Sequence, residues 1–279
     1  MIKFEHTVFA LPFAIMSAFL ASETLPGWSK LGWILVAMVG ARSCAMSFNR
    51  LADAEIDTQN PRTKRRAIPA GLLRKSEVWA FTIFSSFLLV VAAHQLNPLA
   101  FNLSPVALAT IMLYSYTKRF TSMSHLWLGL SLSIAPIGAW IAIKGQFDVL
   151  PLLLGLAVMF WTAGFDIIYA CQDLDFDRRQ GLYSIPAQFG IYSALWISAI
   201  LHVITVILLV VIWYISPLGL IYLGGVGLVS VILIYEHAIV KPHDLSRVNL
   251  AFFTLNGAVS LILMFLAVAD VLMATWPIP

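Results

Sequence analysis

Asn49-Arg-Leu-Ala-Asp53-Ala-Glu-Ile-Asp57 closes one strongly apolar stretch of the chain, and Gln172-Asp173-Leu-Asp175-Phe-Asp177 closes another. Each run sets two Asp four residues apart, and the two pairs are separated by 120 residues. At i and i+4 two carboxylates share one helical face, one turn apart. At the end of a membrane span such charges are expensive and mark function. Four carboxylates at one membrane face, near runs of Arg and Lys, predict a site for divalent cations and a phosphorylated substrate.

Working outward, the chain of 279 residues is 60% hydrophobic and 11% charged, with a mean hydropathy of +0.88. A soluble domain carries about 25% charged residues, so the class is a polytopic membrane protein with the lipid bilayer as its medium. No nucleic-acid partner is expected. Nine apolar spans are predicted at about 7–22, 31–48, 78–95, 98–116, 124–143, 150–170, 190–214, 217–236 and 249–273, each near the ~20 residues that cross ~30 Å of hydrocarbon. Pro98 and Pro217 mark tight breaks. Backbone amides in lipid must be satisfied within the segment, so the spans are helices. The expected fold is an all-α bundle forming one transmembrane domain over residues 1–279. Lys3, Glu5 and His6 precede an apolar run without a small-residue cleavage site, which is read as the first span. Cys44 and Cys171 lie in apolar segments and are expected as buried thiols.

Nine spans put the N-terminus and the loops after spans 2, 4, 6 and 8 on one side. Of the 17 Lys and Arg, that side takes Lys3, Arg50, Arg62, Lys64, Arg65, Arg66, Arg74, Lys75, Lys118, Arg119, Arg178, Arg179, Lys241 and Arg247. The other side holds only Lys30 and Lys144, and Arg42 lies within span 2. By the positive-inside rule the N-terminus and both Asp runs are cytoplasmic. Ile-Pro-Ala recurs after each run, at 68–70 and 185–187. With the matched Asp spacing, this echo suggests two related halves of about four spans each.

Magnesium takes hard oxygen ligands and is held by one or two carboxylates plus substrate phosphates. Asp53, Asp57, Asp173 and Asp177 are the candidate Mg²⁺ ligands, bridging to a diphosphate whose departure the cation would assist. Arg62, Lys64, Arg65, Arg66, Lys118 and Arg119 can add phosphate contacts; the same residues also read as anchors to anionic headgroups. Glu55 and Asp175 fall off the shared face and are secondary.

The ordered set resembles the UbiA superfamily of intramembrane aromatic prenyltransferases, in its 4-hydroxybenzoate polyprenyltransferase-like branch. Asn49, Asp53 and Asp57 match its first motif. Arg62, Thr63, Arg66, Pro69 and Gly71 match the sequel, and Tyr114, Lys118 and Arg119 an intervening Tyr-x-x-x-Lys-Arg. Asp166, Tyr169, Ala170, Asp173 and Asp177 match the second motif. The resemblance implies a polyprenyl diphosphate whose diphosphate rests on Mg²⁺ held by the Asp motifs. An allylic cation forms and is attacked through carbon by an aromatic hydroxy acid. It also implies that Arg42, seven residues before Asn49, sits beside that acid. From the residues alone, Arg42 is an intramembrane cation needing a partner, either a substrate carboxylate or Asp166. Asp166 is in turn a proton acceptor, an orienter of the metal ligands or Arg42's partner. Tyr114 and Tyr169 could line the path of a cation.

Two departures from the family pattern stand out. Arg50 follows Asn49 where Asp is common, and Tyr183 stands where a Lys is frequent, leaving Tyr183 one hydrogen bond to give. The resemblance implies 4-hydroxybenzoate as the acceptor, as in ubiquinone synthesis, with a 1,4-dihydroxy-6-naphthoate-type acid of menaquinone synthesis as the alternative. A transporter of an anionic substrate is the non-enzyme alternative; it would place its charges near the bilayer midplane. His94, His125, His202, His237 and His243 lack metal-ligand spacing and are read as interfacial or capping residues, with His6 at the mouth of span 1. Asn249 and Asn256 are seven apart and are expected on one face, bonding between helices. The resemblance places the protein in a bacterial inner membrane.

Overall fold

The computed structural model describes residues 7–275, so Lys3 and His6 and their expected roles lie outside the described residues. Eleven α-helices follow one another: α1 Thr7–Ser22, α2 Trp28–Ala52, α3 Ala54–Gln59, α4 Lys75–Leu96, α5 Pro98–Thr117, α6 Ser124–Lys144, α7 Val149–Ala170, α8 Leu174–Gln180, α9 Ile185–Ile215, α10 Leu220–Ile239 and α11 Asn256–Thr275. A π-helical turn, Leu250–Leu255, leads into α11. Eight segments are long and apolar enough to cross a membrane, and α1 is a shorter apolar helix. Eight of the nine predicted spans match these segments within a few residues, and the first, at 7–22, coincides with the shorter helix α1. Pro98 sits at the first position of α5, where its missing N–H costs nothing.

The bundle is laid down as neighbouring pairs: α2 on α4, α6 on α7, α7 on α9, α1 on α6 and α11, and α10 on α11. The main core lies between α1, α7, α9, α10 and α11, with Phe9, Phe13, Met16, Leu154, Trp161, Phe165, Leu209, Tyr222 and Leu263 at its centre. At Gly129 a Cβ would fall 2.1 Å from the Met159 carbonyl oxygen, so only glycine lets α6 approach α7 this closely.

The two ends of the bundle can be told apart from contacts. Lys30 donates to the Ile143 carbonyl at 2.8 Å and Lys144 pairs with Glu23 at 3.2 Å, which joins the loops after α1 and α6 at one end. At the other end Lys118 reaches Asp53 and Arg62 reaches Asp173, which joins the loops after α2, α5 and α7. This is the parity that nine spans require. The two halves echo each other at the Asp runs. Asp53 ends α2 and opens α3 with φ −94° and ψ 7°. Asp173 ends a 3-10 turn after α7 and opens α8 with φ −100° and ψ 6°. The Ile-Pro-Ala echo is weaker: Ile68–Ala70 lies in a chain of turns, whereas Ile185–Ala187 begins α9. Each is nonetheless followed by a glycine at positive φ, Gly71 at 71° and Gly190 at 79°, before the next span continues.

Candidate active site

The expected pairs of carboxylates do not ride on uninterrupted helix ends; each straddles a break. Asp57 N–H still bonds to the Asp53 carbonyl at 2.7 Å, so the one-turn relation survives the change of axis between α2 and α3. The break lets Asp53 and Asp57 turn inward, where they are 2% and 3% exposed, while Glu55 stays in solvent. The second run is more open, with Asp173 and Asp177 half-buried and Asp175 exposed.

Asp53 and Asp173 each meet a cation from another loop, and Asp57 meets one from the loop that follows it. Asp53 Oδ2 accepts from Lys118 Nζ at 2.8 Å and from Asn49 Nδ2 at 3.1 Å, while Arg119 stands 3.6 Å from Oδ1 and donates to the Ala52 carbonyl. Oδ1 itself is buried and has no hydrogen bond. Asp57 takes both oxygens to Arg66 Nη1, at 2.7 and 2.8 Å, with Arg50 at 3.9 Å. Asp173 is gripped by Arg62 through Nε at 3.0 Å and through Nη2. Arg62 Nη1 also donates to the Tyr169 hydroxyl at 3.2 Å, and its guanidinium lies 5.3 Å over the Tyr169 ring. Burial pulls the Arg62 guanidinium down, but the hydrogen bonds and charge of Asp173 outweigh it and leave the group above its ordinary range. Asp177 Oδ2 accepts from Ser184 Oγ at 2.8 Å. First-motif and second-motif residues therefore converge at one end of the bundle, bridged by Arg62. Among the described residues no three carboxylate, imidazole or thiol groups close into a metal cage. An ion completed by phosphate oxygens does not need one, and hard donors with one orphaned oxygen at Asp53 suit such an ion.

Arg42 sits deeper, on α2 two turns before Asn49, about 10 Å along the axis. Its Nε is buried without a hydrogen bond. Among the described residues no ion pair joins Arg42 to Asp166, whose Oδ2 instead meets His125 Nδ1 at 2.7 Å. Tyr114 is half-buried on α5, one turn before Lys118. Tyr169 packs on Phe252 with ring centroids 4.1 Å apart and planes tilted by 32°, at the rim of a cluster with Phe9, Phe165 and Trp161. Lys64 and Arg65 are exposed, and Arg178 spends its Nε on the Ala187 carbonyl. Tyr183, which stands where the family pattern frequently has Lys, makes no side-chain hydrogen bond among the described residues. Its side chain is 45% exposed and lines a shallow surface cavity of about 260 Å³ with Arg178, Gly181 and Gln188.

Several histidines are not interfacial. His125 is 3% exposed against Asp166, and His202 is buried 3.0 Å from His237. Periodicity along one helix cannot reveal a partner 41 residues away. Asn256 meets the expectation of bonding between helices: it accepts from Trp161 Nε1 at 2.7 Å and donates to Glu236 Oε1 at 3.1 Å. Asn249 does not; the intervening π turn breaks the seven-residue register and leaves it exposed.

An all-helical bundle with paired Asp breaks at one end defines a class, and the family model of the UbiA prenyltransferase family matches residues 10–270. The chain belongs to that family and is a prenyltransferase. The 4-hydroxybenzoate octaprenyltransferase of Vibrio parahaemolyticus is 30% identical over 85% of this chain and 83% of its own length. That of Aliivibrio fischeri is 30% identical over 91% and 88%. An apo UbiA homologue from Aeropyrum pernix superposes with a TM-score of 0.89 at 34% identity, over 98% of this chain and all of that one. A UbiA homologue from Archaeoglobus fulgidus bound to DMAPP and Mg²⁺ shares the fold, with a TM-score of 0.73 at 20% identity and 95% coverage of each chain.

Proposed function

We propose that this protein transfers a polyprenyl group from a polyprenyl diphosphate to a ring carbon of 4-hydroxybenzoate, with Mg²⁺ as cofactor, at the cytoplasmic face of a bacterial inner membrane. The observation that carries the acceptor is Arg42, a cation in an apolar helix with a buried, unpartnered Nε. An orphaned guanidinium N–H costs about 1–3 kcal/mol or more, and a carboxylate-bearing acceptor would satisfy it. The naming of relatives at 30% identity as 4-hydroxybenzoate octaprenyltransferases supports the same acid.

Asp53, Asp57, Asp173 and Asp177 would hold the cation, whose chemistry is neutralisation of charge on the departing diphosphate. The DMAPP and Mg²⁺ bound by the Archaeoglobus homologue support this assignment. Lys118, Arg119, Arg62 and Arg66 already surround the carboxylates. A bound diphosphate would draw their N–H groups from carboxylate to phosphate oxygen, with no charge left unpaired. As the carbon–oxygen bond to diphosphate breaks, the Tyr169 ring with Phe252 behind it faces the allylic positive charge. A carbon–carbon bond then forms, and the ring proton leaves to a base, for which Asp166 is the candidate. Asn49 holds Asp53 in place, and Tyr114, one turn before Lys118 on α5, is a candidate contact for the substrate. The basic residues shared by this end support its cytoplasmic orientation.

The test is purified protein with labelled polyprenyl diphosphate and Mg²⁺, offered 4-hydroxybenzoate and 1,4-dihydroxy-6-naphthoate in parallel. Carbon-prenylated 4-hydroxybenzoate is expected. Product from the naphthoate alone would replace the acceptor.

A further inference from the structure

Three consecutive residues after the second Asp motif each bond to a different part of the site. Tyr183 N–H donates to the Lys118 carbonyl at 2.7 Å, and Lys118 Nζ holds Asp53. Ser184 Oγ donates to Asp177 at 2.8 Å. Ile185 N–H donates to His125 Nε2 at 3.3 Å. The strap has a glycine at positive φ on each side, Gly181 at 65° and Gly190 at 79°, and the Ile185 side chain is pinned in a buried cluster with Ile167, Cys171 and Ala194.

The last of these bonds decides the state of His125. A backbone N–H can only donate, so Nε2 must be the bare nitrogen, and the ring proton is therefore on Nδ1. Nδ1 is the atom 2.7 Å from Asp166 Oδ2. A neutral imidazole thus donates one hydrogen bond to one defined carboxylate oxygen. Asp166 Oδ1 has no hydrogen bond among the described residues. The second ring nitrogen is tied to the strap, as imidazoles that orient reactive groups commonly are.

We propose that His125 is the positioning residue for Asp166. Through Ile185 it ties the orientation of that carboxylate to the strap anchored on Asp177 and Lys118, so that the diphosphate end and the acceptor end of the site share one mechanical link. This rests on the functional reading above, in which Asp166 serves the acceptor.

The test has one arm without turnover and one with it. In protein labelled with ¹⁵N-histidine and held in lipid nanodiscs, the ring signals lost in His125→Asn are those of His125. They should report a proton on Nδ1 and an acceptor Nε2. A proton on Nε2, or on both nitrogens, overturns the proposal whether or not the acceptor has been named correctly. In turnover, His125→Leu should lower kcat by about 10- to 100-fold, within the range of a misplaced general base. Its KM for the polyprenyl diphosphate should stay within about two-fold. His125→Asn, whose side-chain N–H stands where Nδ1–H stood, should recover most of the loss. His125→Leu added to Asp166→Asn should cost less than about two-fold more, because coupled residues are not additive. Equal losses in Leu and Asn variants, or additive losses with Asp166→Asn, overturn the proposal. Wild-type protein that transfers no prenyl group to either acid refutes the functional reading instead and leaves the tautomer result to stand by itself.

Discussion

Gly129→Ala is a one-methyl test of how the bundle holds its active end. The new Cβ would lie 2.1 Å from the Met159 carbonyl oxygen and 2.9 Å from its carbon. These are backbone atoms and cannot swing aside, so α6 and α7 must part by about 1 Å to reach an ordinary contact. Overpacking of this kind costs about 1–3 kcal/mol. For a chain of this size, ~2 kcal/mol corresponds to a melting point lower by about 4–8 °C. The separation would not stay local. His125 lies one turn before Gly129 on α6 and Asp166 two turns after Met159 on α7, and their hydrogen bond is only 2.7 Å long. Parting by even half the required distance would stretch that bond to about 3.2 Å, the upper end of good geometry. Thermal unfolding in detergent and steady-state turnover together form the assay. A lower melting point with a reduced kcat, and a normal KM for the diphosphate, is expected. A variant that melts and turns over like the parent would refute the claim that this approach positions the site.

Four further outcomes follow from the geometry. Arg42→Leu should raise the KM for the aromatic acid by about 10-fold or more, in line with loss of a charge-assisted bond, and should leave the diphosphate KM and melting point nearly unchanged; steady-state kinetics with each substrate varied will check this. Asp53→Asn should lower Mg²⁺-dependent turnover at least about 100-fold while folding normally, measured by labelled product and circular dichroism. Gly190→Ala forces a side chain onto φ 79° and ψ 165°, a region essentially reserved for glycine that costs about 1–3 kcal/mol, visible as a lower melting point. Asn256→Leu would strand Trp161 Nε1, the Ala251 carbonyl and Glu236 at once, so a loss of more than about 2 kcal/mol is expected, whereas Glu236→Gln, which keeps a partner for Asn256, should cost less.

The spans were legible because hydropathy is a local property, and the gathering of the loops after α2, α5 and α7 at one end was legible because charge asymmetry counts loops rather than contacts. The metal-binding candidates were legible as charges that lipid would not tolerate without use. The breaks at Asp53 and Asp173 were not: an i, i+4 spacing fits a straight helix end as well as a broken one. Nor was the partner of Asp166. Arg42 and His125 were both available on neighbouring helices, and only the packing of α6 on α7, through Gly129, selects His125. Asn249 was misplaced for a related reason, since one π turn shifts every residue that precedes it relative to α11. The backbone bond from Tyr183 to the Lys118 carbonyl was not legible either, because a motif position says nothing about main-chain contacts.

The central claim is that two distant Asp breaks build one diphosphate site. Mg²⁺-dependent binding of a non-reactive thiolodiphosphate analogue of the polyprenyl donor, measured by calorimetry in nanodiscs, tests it without any acceptor. The wild-type protein should bind the analogue only with Mg²⁺ present, and Asp53→Asn and Asp173→Asn should each weaken binding severely, with the double variant little worse than either. A variant at one break that binds like the wild type would mean that the two halves do not share the site.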